Sequence, residues 1–390
     1  MHITTKSIHG ADSIRRVTDV IPPINISTTF SYSPNPEDLV AVADLEGTIA
    51  GSKNYIYSRE NHPNAAMVEQ IVESITGVHA VVYNSGLGAF NALMTLYNPK
   101  TLAIGQAYHG CQGIADIWQR NFGLKKIDID ASDEEFDKYV KSGDLVHLET
   151  PVNPYGVNFD IKKYAERAHA KEAILSIDAT FAPPPLMDPF KFGADIVMHS
   201  ATKFFGGHSD LLAGILLTKS SEIKKKLLND RLVLGSNIGN LESALLVRSL
   251  RTYELRILRQ SKSAEFIVKY LNENKSKFPD LDIIHHGSLQ TDSYIKEQMP
   301  LGQSPVFAIE LKTEIAAKSL PSKLKLFYHA TSLGGAESLI EWRAMSDAHI
   351  SRKLLRVSIG LEDPRDLLAD LVAGLGGDDE LVTKISELSL

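Results

Sequence analysis

Ser200-Ala201-Thr202-Lys203-Phe204-Phe205-Gly206-Gly207-His208-Ser209-Asp210 is the stretch against which the rest of the chain takes its meaning. Residues 194–199 before it and 214–218 after it are apolar and of strand length. Lys203 therefore stands where a buried strand ends and a glycine turn begins. Plain structure gives such a lysine little reason to be there, because its stem is partly buried and its ammonium needs a partner. Ser200 and Thr202 put hydroxyls on either side, and Gly206-Gly207 let another group approach the backbone. A lysine with a depressed pKa can form a Schiff base with an aldehyde. A surface lysine between two strands would read the same way locally, so the decision rests on what the other segments supply.

Upstream, strand and helix patterns alternate. Strands are predicted over 79–83, 101–104, 145–148 and 174–177, and helices over 65–76, up to 96, over 133–141 and over 161–170. Alternation with short turns builds a mostly parallel sheet covered on both faces, an α/β fold. Tyr108, Asn153, Asp178 and Lys203 then fall at the same ends of successive strands, where ligands of open α/β sheets collect. Ser85-Gly86-Leu87-Gly88, between a strand and a helix, aims backbone N–H groups at an anion, with a structural turn as the alternative. A dinucleotide fingerprint is disfavoured, because position 91 is Asn where a third glycine belongs. Tyr57 and Arg59 lie two apart, so extended backbone points both the same way, toward a phosphate or into a surface stack. A lysine for an aldehyde, an aspartate for a cationic ring nitrogen and an anion site for a phosphate describe one cofactor, pyridoxal 5′-phosphate (PLP).

The chain has 390 residues, 43% of them hydrophobic, enough for a sizeable core and more than one domain. Its net charge of −7 leaves no basic field for nucleic acid. Cys111 is the single cysteine, so no internal disulfide framework forms. The 13 histidines lack ligand spacing, and no metal is expected. No apolar run is long enough to span a bilayer and no secretory segment opens the chain, so a cytoplasmic location is expected. Lys6, Arg15 and Arg16 suggest a transit peptide only faintly, since Asp12 interrupts them.

Residues 1–54 carry little periodicity, and Pro22, Pro23, Pro34 and Pro36 forbid long elements, so an extended N-terminal arm is predicted. A PLP-binding large domain over 55–255 and a smaller α+β C-terminal domain over 256–390 complete the expected organisation. A long helix over 241–272 is expected to link the halves. Beyond it, strands are predicted over 305–311 and 354–359 and a helix over 322–329. Asp363 and Pro364 read as the N-cap and first position of a last helix. Arg356, in an apolar strand, must meet a carboxylate, either a ligand's or an internal one such as Glu337.

The chain resembles the trans-sulfuration enzymes of cysteine and methionine metabolism, a PLP-dependent family with the aspartate-aminotransferase-like fold type I. The family includes cystathionine γ-lyase, β-lyase and γ-synthase. The resemblance is carried by Tyr57-Ser58-Arg59, Ser85-Gly86, Glu149-Thr150-Pro151 with Asn153-Pro154, Asp178, the Ser200–Asp210 stretch, Ser332-Leu333-Gly334-Gly335 and Arg356-Val357-Ser358. It implies that Lys203 carries the cofactor and moves the Cα proton, and that Asp178 keeps the ring nitrogen protonated. It implies Ser85, Gly86, Leu87, Ser200 and Thr202 as phosphate ligands, joined by Tyr57 and Arg59 from a neighbouring subunit of a homodimer or homotetramer. Tyr108 is implied to stack on the ring and assist proton transfer. Asn153, Ser332 and Arg356 are implied to hold the cofactor's phenolate side and the substrate α-carboxylate.

Several positions depart from the family pattern: His109 and Cys111 after Tyr108, Phe204 after the lysine, and Trp342-Arg343 after Glu341. They leave the cofactor residues in place and bear on the substrate pocket. Glu341 is similar to the eukaryotic γ-lyases, and Leu333 stands where bacterial β-lyases have Trp. The expected activity is β- or γ-elimination on cystathionine or a related sulfur amino acid. A γ-replacement enzyme (cystathionine γ-synthase or O-acylhomoserine sulfhydrylase) is the alternative, and an inactive paralogue serving as an interaction protein a third.

Overall fold

The computed structural model describes residues 1–44, 55–385 and 388, so part of the arm predicted over 1–54 lies outside the described residues. The described part of that arm is not wholly extended. It opens with helix α1, Ile3–His9, which packs on helix α2, Pro63–Thr76. Two turns of helix are too short to show a period in sequence. The extended remainder is tied to its own chain, Phe30 N donating to Ile56 O at 2.9 Å and Ser58 N to Thr28 O at 2.8 Å. Helix α2 starts where the His62 ring accepts from Asn64 N with Pro63 at the first position, and stops at Gly77 with φ 77°.

From there strands and helices alternate: β1 His79–Tyr83, α3 Gly86–Tyr97, β2 Thr101–Ile104, α4 His109–Phe122, β3 Lys125–Ile127, α5 Asp133–Tyr139, β4 Leu145–Glu149, α6 Ile161–His169, β5 Ile174–Asp178, β6 Ile196–Ser200 and β7 Gly214–Thr218. The strands form a seven-stranded sheet in the order β1-β7-β6-β5-β4-β2-β3. Every neighbouring pair is parallel except those β7 makes with β1 and β6. Ala80 and Val82 of β1 enter one hydrophobic cluster and Val81 and Tyr83 another, so the period of two feeds a core on each face. Helix α4 and strand β3 were not foreseen. Gly110 and Gly113 lower the helix propensity of α4, and β3 is a three-residue edge strand beginning with two lysines.

Helices α7 Ser221–Leu234, α8 Asn240–Leu250 and α9 Tyr253–Glu273 follow. The helix expected over 241–272 is thus two helices, broken at Arg251 and Thr252. The Arg256 guanidinium sits at the break: it binds Ser249 O at 3.0 Å, a carbonyl that a continuous helix would pair with Tyr253 N, and the Thr252 hydroxyl at 3.3 Å. Tyr253 and Ile257 pack into the larger core, and Ala264, Ile267 and Leu271 into that of a second sheet.

The second sheet contains β8 Leu281–His285, β9 Val306–Leu311, β10 Tyr328–His329, β11 Leu339–Trp342 and β12 Leu354–Ser358, in the order β10-β11-β12-β9-β8. Helices α10 Tyr294–Gln298, α11 Glu314–Ser319, α12 Pro364–Gly374 and α13 Asp379–Ile385 accompany it. No helix runs over 322–329; a turn at Pro321–Lys323 leads into β10 instead. Asp370 on α12 accepts from Lys325 N and Leu326 N, and Phe327 is buried, so tertiary contacts hold this backbone open. Asp363 caps α12, accepting from Arg365 N at 2.9 Å, with Pro364 first, as predicted.

Candidate active site

The carboxyl ends of β4, β5 and β6, the first turns of α3 and α4, and residues 331–333 with Arg343 and Arg356 enclose a cavity of about 290 Å³. The three strands end in Glu149, Asp178 and Ser200. Ser85, Gly86, Leu87, Tyr108, Asn153, Asp178, Ser200, Thr202, Lys203, Ser332 and Arg356, all singled out in the sequence, line this one space.

Lys203 reaches it from the turn between β6 and β7, which closes through Lys203 N to Ser200 O at 3.1 Å and Gly207 N to Lys203 O at 2.7 Å. Its Nζ donates to Ser332 Oγ at 2.8 Å. Burial, and then the nearby Arg356 charge, bring the ammonium down to about 8, with Glu341 acting the other way. The serine that meets it has φ 89°, a costly conformation for a residue with a Cβ. Gly334, two residues on, has φ 83°, and a Cβ there would lie 2.8 Å from Phe204 N. The loop before β11 can therefore press against the lysine turn only as glycine.

Asp178 is buried at the end of β5. Thr180 donates to its Oδ1 twice, from N at 3.0 Å and from Oγ1 at 2.6 Å. Burial raises its pKa against those bonds, and raises that of Glu149, its neighbour in register on β4, further because the two carboxyls repel. Glu149 also organises the site: it accepts from Tyr108 N at 2.6 Å and from Asn153 N at 2.8 Å. One side chain thus positions two segments that the sequence separates.

Arg356 donates to Asn153 Oδ1 and to Ser332 O, each at 2.9 Å, and forms an ion pair with Glu341 at 2.7 Å. The internal partner suggested from sequence, Glu337, is not the one used. Glu337 accepts from the Ser209 hydroxyl, while the β11–β12 register puts Glu341 directly across from Arg356.

At the other end, the first-turn N–H groups of Gly86 and Leu87 have no intrahelical acceptor, and Ser85 Oγ caps Gly88 N at 2.9 Å. A Cβ on Gly86 would lie 3.0 Å from that of Ser200, so β6 and α3 meet closely here. Thr202 lines the cavity, but its hydroxyl donates to Ala213 O at 3.2 Å and accepts from Ala213 N at 3.0 Å. Tyr108 precedes α4, its ring 4.3 Å from that of His109.

Tyr57 and Arg59 do not line the cavity of their own chain. Arg59 lies 5.5 Å from the Tyr57 ring centre and donates to Leu232 O at 3.0 Å, the surface stack that the sequence left open. Sequence reasoning gave Thr180 and Glu149 no role in the site and did not foresee the coupling of Arg343 to Glu341. Asp178-x-Thr180 is a local side-chain-to-backbone pattern and could have been found. The other two depend on strand register.

The family described as Cys/Met metabolism PLP-dependent enzyme matches residues 4–376. Cystathionine beta-lyase of Lactococcus lactis subsp. cremoris (strain MG1363) is 31% identical, the alignment covering 96% of this chain and 98% of that protein. Cystathionine gamma-synthase of Escherichia coli (strain K12) is also 31% identical, over 91% and 92% of the two chains. The crystal structure of apo CalE6, a methionine gamma lyase from Micromonospora echinospora, superposes with a TM-score of 0.83 at 29% identity, covering 96% of this chain and 99% of that one. A match of this extent in sequence and fold leaves one assignment: the chain belongs to the Cys/Met metabolism family of PLP-dependent enzymes.

Proposed function

We propose that the protein is a carbon–sulfur lyase of trans-sulfuration, acting by β- or γ-elimination on cystathionine or a related sulfur amino acid. The observation that carries this reading is the buried amine of Lys203, brought down to about 8 and held 2.8 Å from Ser332, in one cavity with Asp178 and Arg356.

The residues present fit PLP. Both bonds to Asp178 fall on Oδ1, so Oδ2 of a buried carboxyl remains for a cationic N–H. The unspent N–H groups of Gly86 and Leu87 and the Ser200 hydroxyl suit a phosphate. Bound PLP supplies an electron sink through its protonated ring, which lets bonds at the amino acid's Cα, and then at Cβ or Cγ, break. Lys203 Nζ holds the Cα proton and can pass it on. Arg356, steadied by Asn153, clamps the α-carboxylate. Ser332 keeps Nζ oriented, and Tyr108 covers the cofactor ring and assists proton transfer. In the homodimer or homotetramer that this reading includes, Tyr57 and Arg59, which lie outside the cavity of their own chain, serve the phosphate site of a neighbouring copy. A cytoplasmic location is part of this reading. Among the described residues no helix is long and apolar enough to cross a membrane.

A γ-replacement activity is the second reading, because the Escherichia coli synthase is 31% identical, as the Lactococcus lactis beta-lyase is, though over slightly less of the chain. The shared pocket of Lys203, Asp178 and Arg356 argues against an inactive interaction protein. Incubating holoenzyme with cystathionine distinguishes the elimination modes: pyruvate marks β-elimination, 2-oxobutyrate γ-elimination. O-acetyl- or O-succinylhomoserine with cysteine tests replacement through the thioether formed. If holoenzyme with its cofactor in place forms neither keto acid nor thioether, the reading fails.

The lowered lysine makes a separate prediction for the apoenzyme. A neutral amine is the nucleophile, so covalent capture of PLP should rise about tenfold per pH unit below 8 and level off above it. An unperturbed lysine would keep the rate rising toward about 10.4. Stopped-flow absorbance at fixed PLP gives the profile, and a rise continuing past pH 10 would show the amine to be ordinary.

A further inference from the structure

The β11–β12 register that pairs Glu341 with Arg356 also brings in a second guanidinium. Trp342 turns into the core of the small sheet, its Nε1 donating to Arg352 O at 2.8 Å. The chain then makes a tight turn at Arg343–Met345, so Arg343, two residues from Glu341, comes back to the same carboxylate. Glu341 Oε2 accepts from Arg343 Nη1 at 2.9 Å and from Arg356 Nη2 at 2.7 Å, while Oε1 accepts from Ser346 Oγ at 2.6 Å.

Both arginines are buried and both line the cavity. One carboxylate between two guanidiniums leaves a positive charge over. Asp347, partly exposed, forms a long ion pair with Arg343 Nη2 at 3.9 Å, beyond hydrogen-bond range, and offsets that charge only by a solvent-screened attraction. Glu149, held toward its neutral form by burial, does little to offset what remains. Arg343 Nε is buried and without a hydrogen-bond partner, which is costly for a charged donor unless something fills it. A surplus charge and an unspent donor on a cavity wall together describe a socket for an anion.

We propose that Arg343 is a specificity-determining residue that binds a second anionic group, a carboxylate on the leaving portion of the substrate, apart from the α-carboxylate held by Arg356. The inference rests on the lyase reading and narrows it. The substrate class is an amino acid whose sulfur substituent ends in a carboxylate, in preference to one with a neutral alkyl group.

The test uses isosteric pairs, the S-(2-carboxyethyl) and S-(2-carbamoylethyl) thioethers of cysteine and of homocysteine, with wild-type holoenzyme. The acid is expected to exceed the amide in kcat/KM by about 10- to 100-fold, the worth of one charge-assisted bond. Arg343→Gln should bring that ratio near one, and Arg343→Lys should restore part of it. A wild-type ratio near one overturns the proposal whether or not the variants fold, and so does a ratio unchanged in a folded Arg343→Gln. If neither pair turns over, the lyase reading is judged by the cystathionine assay and Arg343 by calorimetry alone. A wild-type Kd at least about tenfold lower for the acid sustains the anion socket; equal Kd values sink it.

Discussion

Lys203→Ala is expected to lose at least about 10⁴-fold in kcat, a barrier increase of about 5.5 kcal/mol. The amine is the buried base of the cavity, and nothing replaces it. Arg356, the other cation touching Ser332, is bound to Glu341 and Asn153, and a guanidinium does not give up its proton at working pH. Alanine shortens the side chain without disturbing the turn, whose bonds run through Lys203 N and O. The variant should therefore melt near the parent and fail in chemistry. Borohydride treatment of the parent with PLP should leave a pyridoxyl group at position 203, found by peptide mass, and leave none in the variant. Turnover at the parent rate by a variant without that adduct would remove the basis of the proposed activity.

Asp178→Asn is expected to lower kcat about 10³-fold, or about 4 kcal/mol, and to weaken PLP binding. The hydrogen-bond pattern makes this substitution informative. Thr180 N and Thr180 Oγ1 both donate to Oδ1, and Ser200 N donates in turn to the Thr180 hydroxyl at 2.8 Å. That chain of donors keeps the oxygen of an asparagine facing Thr180. The amide nitrogen must then take the place of Oδ2, where it donates instead of accepting. A ring nitrogen that meets a donor is left unprotonated, and the electron sink weakens. Since the asparagine is isosteric and keeps the Thr180 bonds, melting should change little. A kcat within tenfold of the parent, at saturating PLP, would show that the carboxylate does not hold the ring proton.

Where side chains and backbone cooperate within a few residues, the sequence was readable. The strand 214–218, the strand 79–83, the cap at Asp363 with Pro364 and the glycine turn after Lys203 emerged where periodicity and turn chemistry put them. Failures came where distant groups overrule local preference. The helix expected over 241–272 is broken where Arg256 binds Ser249 O, and Asp370 opens the one expected over 322–329.

By itself the sequence determined the alternation of strand and helix, hence the mostly parallel sheet, and it determined which polar residues stand at the strand ends. Period and motif are properties of neighbours along the chain, so those conclusions needed no coordinates. Which charge meets which was settled only by tertiary structure. Arg356 joins Asn153 across 203 positions and takes Glu341 rather than Glu337, because strand register and packing, not spacing, bring the groups within hydrogen-bond range. The same register leaves Arg343 with a donor unspent, a fact that no window of sequence contains.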